Sequence, residues 1–392
     1  MADALDRRLD GPASPLRPIL VLSFSDLAND PRVSRQVALL AGRMPVTAAG
    51  FTRPLVEGAD YVHLPRLRRS VAHRALAVAW LKLGRFEQFY WSSPTIRHAY
   101  EKLKERGFSL ILANDLNALP LACGLKPPGG VIFDAHEYSP RELEDRLSWR
   151  FLYQGYNDYV CRRYLPATAG MLTVCQSIAD EYRNNYGVSP EVLFSAPPYQ
   201  NLEPRALAPG TIRMIHHGGG IPSRKIELMI DTMRHLDDRF RLDLMLVPGD
   251  VGYIRRLEVL VARDSRVRIL APVPMPDLPR HLNQYDIGLF LLPPTNFNYR
   301  YALPNKLFEF IQARLAVAIG PSPEMARLVR QYDCGIVSDE FSPRSLARQL
   351  DALDGERIGY FKQRSHLAAR ELCFEKNSGI LLDMIESLAG KI

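Results

Sequence analysis

The sequence predicts an α/β protein made of two successive domains, and three observations carry that reading. Short apolar runs recur along the chain, each bounded by Gly, Pro or polar residues, as buried parallel strands are. Helical periodicity lies between them, the alternation that βα units produce. The rhythm stops at the proline-rich, non-periodic stretch 196–210 and then restarts. A chain of 392 residues also exceeds one ordinary core, so two domains are the default. We therefore expect a disordered tail at 1–16, a first domain at 17–200, a linker at 201–210, a second domain at 211–365 and C-terminal helices at 366–392.

Composition narrows the class but not the partner. Hydrophobic residues at 47% and charged residues at 24% are ordinary for a soluble globular protein. The net charge of +7 suits an anionic substrate, a membrane surface or nucleic acid without choosing among them. The five cysteines are scattered and lack C-x-x-C spacing, so neither a disulfide framework nor a zinc site is expected, and a reducing cytoplasm fits. Met1 to Arg17 is polar and carries no signal-peptide core. No apolar run reaches the roughly 18 residues needed to span a bilayer, so any membrane association is peripheral.

In chain order, Ile19–Phe24 reads as the first strand, Val33–Met44 as a helix and Val46–Phe51 as a second strand. The loop between them, 25–32, lacks G-x-G-x-x-G and is not a dinucleotide fingerprint. Arg32 and Arg35 at the helix start are placed either to meet an anion or to serve the surface. From Arg66 to Arg106 the chain is basic and aromatic, with Trp80, Phe86, Phe89, Tyr90 and Trp91 among Arg66, Arg68, Arg69, Arg74, Lys82 and Arg85. That composition fits a core helix with a solvated basic rim or a helix lying on an anionic membrane. No recognition module for nucleic acid accompanies it.

Leu110–Ala113 is a strand ending in Asn114-Asp115, and Val131–Phe133 leads into Asp134-Ala-His-Glu137. Polar groups at the carboxyl end of a buried strand face the ligand crevice of an α/β sheet. His136, which can donate, accept or titrate near neutrality, is a candidate catalytic or acceptor-side group there. Gly170–Val174 is the next strand, with Ser177 read as the cap of the helix 178–186.

In the second half, Arg213–His217 runs into Gly218-Gly219-Gly220, read as a glycine-rich turn, and then into Arg224-Lys225 before a helix. Such a turn lets a phosphate approach the backbone, Arg224 offering two donors and Lys225 a point charge. Strands at 242–247 and 267–270 end in loops on the same edge, where Val273 is placed to read a base through main-chain groups. Strand 287–292 precedes Tyr301-Ala-Leu-Pro304-Asn305-Lys306-Leu-Phe-Glu309, a helix start with an apolar face at Leu307, Phe308, Ile311 and Leu315. The dipole and Lys306 favour an anion, and Glu309 one turn on can accept from a ribose diol. The same residues would also serve as a packing helix whose Lys306 and Glu309 are merely solvated. Helices at 343–353, 360–374 and 377–389 close the chain.

Taken together, Asn29-Asp30-Pro-Arg32-Val33, Asp134-Ala-His136-Glu137, His217-Gly-Gly-Gly220 with Arg224-Lys225, and Leu303-Pro304-Asn305-Lys306-Leu-Phe-Glu309 resemble the GT-B glycosyltransferases, most closely glycosyltransferase family 4. The resemblance spans nearly the whole chain. It implies two Rossmann-like domains facing across a cleft, with the last helix packing back on the first. It also implies a nucleotide-diphosphate sugar, based on UDP or GDP, in the second domain, and retention of anomeric configuration without a metal or other cofactor. The nucleotide-sugar site would comprise Gly218, Gly219, Gly220, Arg224, Lys225, Val273, Tyr301, Pro304, Asn305, Lys306 and Glu309. The acceptor side would comprise Asp30, Arg32, Asp115, His136 and Glu137, and catalysis would rest on His136, Arg224, Lys225 and Lys306. Two positions depart from the family. Tyr301 stands where the first of two spaced glutamates is usual, and Gly219 where many members have a phosphate-binding arginine. The expected acceptor is a glycan or polyprenyl-linked chain of a cell-envelope polysaccharide, reached by a cytoplasmic enzyme peripheral to the membrane through 66–106. A nucleotide-sugar epimerase and a catalytically silent partner subunit share the architecture.

Overall fold

A computed structural model describes residues 17–389; the tail expected at 1–16 lies outside the described residues. Two wholly parallel sheets organise the chain. The first contains β1 (Ile19–Ser23), β2 (Val46–Gly50), β3 (Asp60–His63), β4 (Leu110–Asn114), β5 (Val131–Ala135), β6 (Gly170–Thr173) and β7 (Glu191–Val192), in the order β3-β2-β1-β4-β5-β6-β7. The second contains β8 (Ile212–Gly220), β9 (Phe240–Pro248), β10 (Val267–Leu270), β11 (Ile287–Phe290), β12 (Ala316–Ile319) and β13 (Gly335–Val337), in the order β10-β9-β8-β11-β12-β13. β1, β2, β4 and β5 are buried along their whole length, which is why they read as unbroken apolar runs. β3 and β13 are short, partly exposed elements whose sequences carry no such signal.

In each sheet the strand order reverses once, between β1 and β4 and between β8 and β11. Loops leaving the two strands at such a point diverge to opposite faces and open a crevice beyond the carboxyl ends. The loops after β1, β8 and β11 line the available space, joined by those after β5 and β10.

Three local expectations are corrected. Gly218–Gly220 form no turn: β8 stays extended to Gly220, which is in register with Pro248, and the chain turns at Pro222–Arg224. A Cβ on Gly220 would come within 2.3 Å of Ile254 Cδ1, so this glycine admits the Val251–Val261 helix against the strand. Ser177 is no cap but lies within the Gln176–Tyr186 helix, where its amide and hydroxyl donate to Glu324 of the second half at 2.7 and 2.6 Å. Pro304 is the N-cap of the Asn305–Gln312 helix rather than part of its first turn.

Further contacts join the halves. Asn298 accepts from the Tyr138 amide at 2.8 Å and donates to the Tyr138 carbonyl at 3.2 Å. Arg314, fully buried, donates to the carbonyls of Gln200, Leu202 and Gln312 and so ties the non-periodic stretch to the second sheet. The final Gly379–Ala389 helix lays Leu381, Met384, Ile385 and Leu388 on the same apolar cluster as Ile19, Val21 and Leu112 of the first sheet.

Candidate active site

The ends of β8 and β9, the loop after β10 and the start of the Asn305–Gln312 helix enclose a cavity of about 500 Å³, closed across the cleft by Asn29 and Pro31. Gly218 is its centre. Its φ of 118° is one that side-chain-bearing residues rarely adopt, and a Cβ there would lie 3.0 Å from Arg224 Nη1 and 3.2 Å from Lys306 Nζ. Two cations thus converge on the backbone at the end of β8. Among the described residues neither lies within ion-pair distance of a carboxylate. Lys306 is 6% exposed and its ammonium sits 4.2 Å from the Phe290 ring centroid. Burial, and next the Arg224 charge, push its pKa down to about 7, with Glu309 opposing. A buried ammonium beside a guanidinium favours an anion between them.

Glu309 lines the same cavity one helical turn beyond Asn305 and Lys306. Burial raises its pKa, while Lys306 and Arg35 hold it down. His217 Nε2 lies 3.3 Å from Glu309 but lacks hydrogen-bond geometry, and burial followed by Lys306 and Arg224 keeps the ring neutral. The two are neighbours rather than an ion pair. Val273, with Pro272 and Met275, forms the opposite wall.

A second cavity of about 390 Å³ adjoins the first and shares Pro31, Arg224, Pro304 and Asn305 with it. The first domain contributes Asp30, Arg32, His136, Glu137 and Ser195, and the second Asn298 and Tyr299. His136 Nε2 is 3.1 Å from Asn114 Oδ1, and Nδ1 is 3.2 Å from Asp115. Burial opposes its charge, but Asp115 and Asp134 overcome that and raise its pKa to about 10. His136 is therefore an imidazolium held as a donor, and both its nitrogens face protein acceptors. Glu137 is shifted the other way, since burial, then Glu142 and Asp115, raise it well above the usual carboxylate range. Asp30, which caps the Pro31–Ala41 helix through the Val33 amide, completes this side, whereas Asp115, with φ of 63°, lines neither cavity and acts only through His136.

Four expected site residues do other work. Arg32 is consumed by Asp134, donating from Nε and Nη2 at 2.7 and 2.6 Å and from Nη1 to the Leu193 carbonyl at 2.9 Å. Asp134 is fully buried and also accepts from Gln36, so this pair locks β5 to the Pro31–Ala41 helix rather than awaiting an anion. Lys225 takes a left-handed φ of 51°, points outward and lies 3.9 Å from Glu227. Tyr301 packs against Phe297, ring centroids 4.8 Å apart and planes tilted by 54°, and lines neither cavity. Gly220 packs under Ile254 as described. Tyr299, two residues before Tyr301, is the aromatic that reaches the second cavity, its hydroxyl 2.9 Å from Ser223. The sequence placed an aromatic pair there, but a short helix, Phe297–Arg300, decides which member turns inward. Asn298 and Met245 were likewise not singled out, and Asn29 was read only as part of a motif, because each is brought to the cavities only by the meeting of the two halves or by the packing of a strand.

No protein-family model and no curated protein matches this sequence. Solved structures do match over nearly the whole chain. Sucrose-phosphate synthase from Thermosynechococcus elongatus aligns with a TM-score of 0.72 at 12% identity, covering 96% of this chain and 100% of its own. HepE from Anabaena, solved with UDP-glucose, aligns with a TM-score of 0.68 at 13% identity, covering 96% and 99%. WaaG, a glycosyltransferase involved in lipopolysaccharide biosynthesis, aligns with a TM-score of 0.63 at 12% identity, covering 94% and 99%. The chain has the GT-B fold of these proteins.

Proposed function

We propose that this protein is a glycosyltransferase that moves a sugar from a nucleotide-diphosphate sugar to an acceptor across its interdomain cleft. The observation that carries the proposal is the convergence of Arg224 and Lys306 on Gly218 at a strand end, with no carboxylate of the described residues within ion-pair distance of either. Breaking the glycosyl–phosphate bond builds charge on the leaving diphosphate, and preorganised donors in a water-poor site stabilise that charge. Glu309 accepts from the ribose, Val273 borders the base, and the sugar extends into the second cavity toward the His136 imidazolium. That HepE was solved with UDP-glucose supports a UDP-sugar as the donor.

In this reading transfer retains anomeric configuration and proceeds without a metal, the leaving charge resting on Arg224, Lys306 and the glycine amides. The acceptor is a glycan or lipid-linked chain of a cell-envelope polysaccharide, met at an anionic membrane through the 66–106 region, where the protein works from the cytoplasmic side. Thermal-shift measurement with UDP-, GDP- and ADP-sugars, followed by assay of nucleotide release, tests it. One nucleotide sugar should stabilise the protein and release nucleotide slowly alone and faster with acceptor. Conversion of the sugar without release would indicate an epimerase, and binding without turnover a silent subunit.

A further inference from the structure

The region 66–106 does not form one helix on a core. The Val71–Lys82 helix buries only Ala77 and Leu81 and stands against a π-helical turn at Arg150–Gln154. Between them runs a groove of about 520 Å³, with Arg68, Arg69 and Arg74 above an apolar floor that includes Leu81, Phe89 and Tyr153. Arg69 is the fixed member. It donates to the Phe89 carbonyl at 2.7 Å, lies 4.7 Å over the Phe89 ring, and leaves its Nε buried without an acceptor. Among the described residues, none of the three arginines lies within ion-pair distance of a carboxylate. The segment from Arg66 to Arg85 holds six basic residues and no acidic one. The elements that flank the groove carry exposed apolar residues: Val71 is 74% exposed, Leu83 72%, Leu147 67% and Phe151 84%. Leu147 and Phe151 belong to the segment before and within the π-turn, well outside the basic stretch of sequence.

We infer that this face is a lipid-binding site in which the arginine groove receives the phosphate headgroup of an anionic lipid while Val71, Leu83, Leu147 and Phe151 enter the surrounding interface. The inference rests on the membrane reading above and gives it a site. Charge complementarity selects the occupant. Unpaired guanidinium groups require an anion, and exposed aliphatic side chains around them require an apolar phase beside that anion. A lipid surface offers both, with apolar insertion and headgroup attraction adding to each other. A soluble phosphate, or a nucleic acid stacking its bases on Tyr153 and Phe151, would leave the aliphatic rim of Val71, Leu83 and Leu147 in water.

Flotation of the full chain with vesicles tests the site. The protein should bind vesicles of phosphatidylcholine with phosphatidylglycerol, bind phosphatidylcholine alone poorly, and lose affinity as salt rises. The exposed arginines allow a variant that leaves the fold alone: Arg68→Gln with Arg74→Gln should weaken binding about 30-fold, roughly fivefold for each charge. Phe151→Asp should also weaken it, and all variants should keep the wild-type thermal shift with nucleotide sugar. Wild-type protein that does not float overturns both the site and the membrane reading. Floating variants with wild-type affinity overturn the site and leave the membrane reading standing. Arginine-dependent binding of inorganic phosphate or an oligonucleotide, without vesicle binding, assigns the groove to a soluble ligand and overturns the lipid.

Discussion

Two clusters of charge face each other across the cleft, and their chemistry differs although their residue types are alike. In the first domain Arg32, Asp134, Gln36 and His136 form a network closed in charge, each ionised group meeting a counter-charge while only the neutral Gln36 Oε1 is left without a donor. In the second domain Arg224 and Lys306 converge on Gly218, and among the described residues neither has a carboxylate within ion-pair distance, Glu309 acting on Lys306 only from further off. A paired charge is spent on holding the structure. An unpaired buried charge costs stability in the empty protein and is offset only when a ligand brings the counter-charge. The contrast separates scaffold from site better than residue identity does, since an arginine in the helical turn that follows a strand occurs in both.

The sharpest way to break this comparison is to open the closed network. Asp134→Ala leaves Arg32 buried and uncompensated and should cost about 3–5 kcal/mol of stability, read by urea unfolding. Nucleotide affinity of the folded fraction should change little; a stable variant with lost nucleotide binding would make Asp134 part of the site instead.

Lys306→Ala should do the reverse. Its removal relieves a buried charge, so the fold should survive, but nucleotide release should slow about 100- to 1000-fold. Turnover near the wild-type rate would remove Lys306 from the leaving-group role. Glu309→Gln acts on donor binding rather than on the bond-breaking step, so it should weaken nucleotide affinity about tenfold, the loss of one good charged hydrogen bond. Unchanged binding by calorimetry would return Glu309 to packing.

The smallest effect expected is on pH dependence, and its sign follows from the cations. Lys306 in the empty site has its pKa pushed down to about 7, whereas a bound diphosphate favours its charged form. Donor binding should therefore take up protons, and affinity should fall as pH rises above about 7, by at most tenfold per unit. Lys306→Arg should flatten that fall. His136, raised to about 10, stays charged throughout and should add no step near its ordinary value. Calorimetry in buffers of different ionisation enthalpy between pH 6 and 9 distinguishes these outcomes; no proton uptake would mean that Lys306 is already charged.

The order of most strands and helices, the non-periodic stretch at 196–210 and the trio of Gly218, Arg224 and Lys306 that meets at the first cavity were legible in the sequence. Apolar runs, helix periodicity and the glycine beside basic residues are local signals, and burial of parallel strands leaves them in the chain itself. The tertiary structure decided which charges were left over. Arg32 and Arg224 look equivalent as letters, but Asp134 lies 102 positions from Arg32 and reaches it only through sheet pairing. Tyr299 rather than Tyr301 turns to the cavity because Phe297 captures the latter's ring. The groove of Arg68, Arg69 and Arg74 is completed by Tyr153, which no window of neighbouring sequence contains. Pairing is a property of distance in space, so a single chain of letters states which groups carry charge and the fold states which of them remain free to bind.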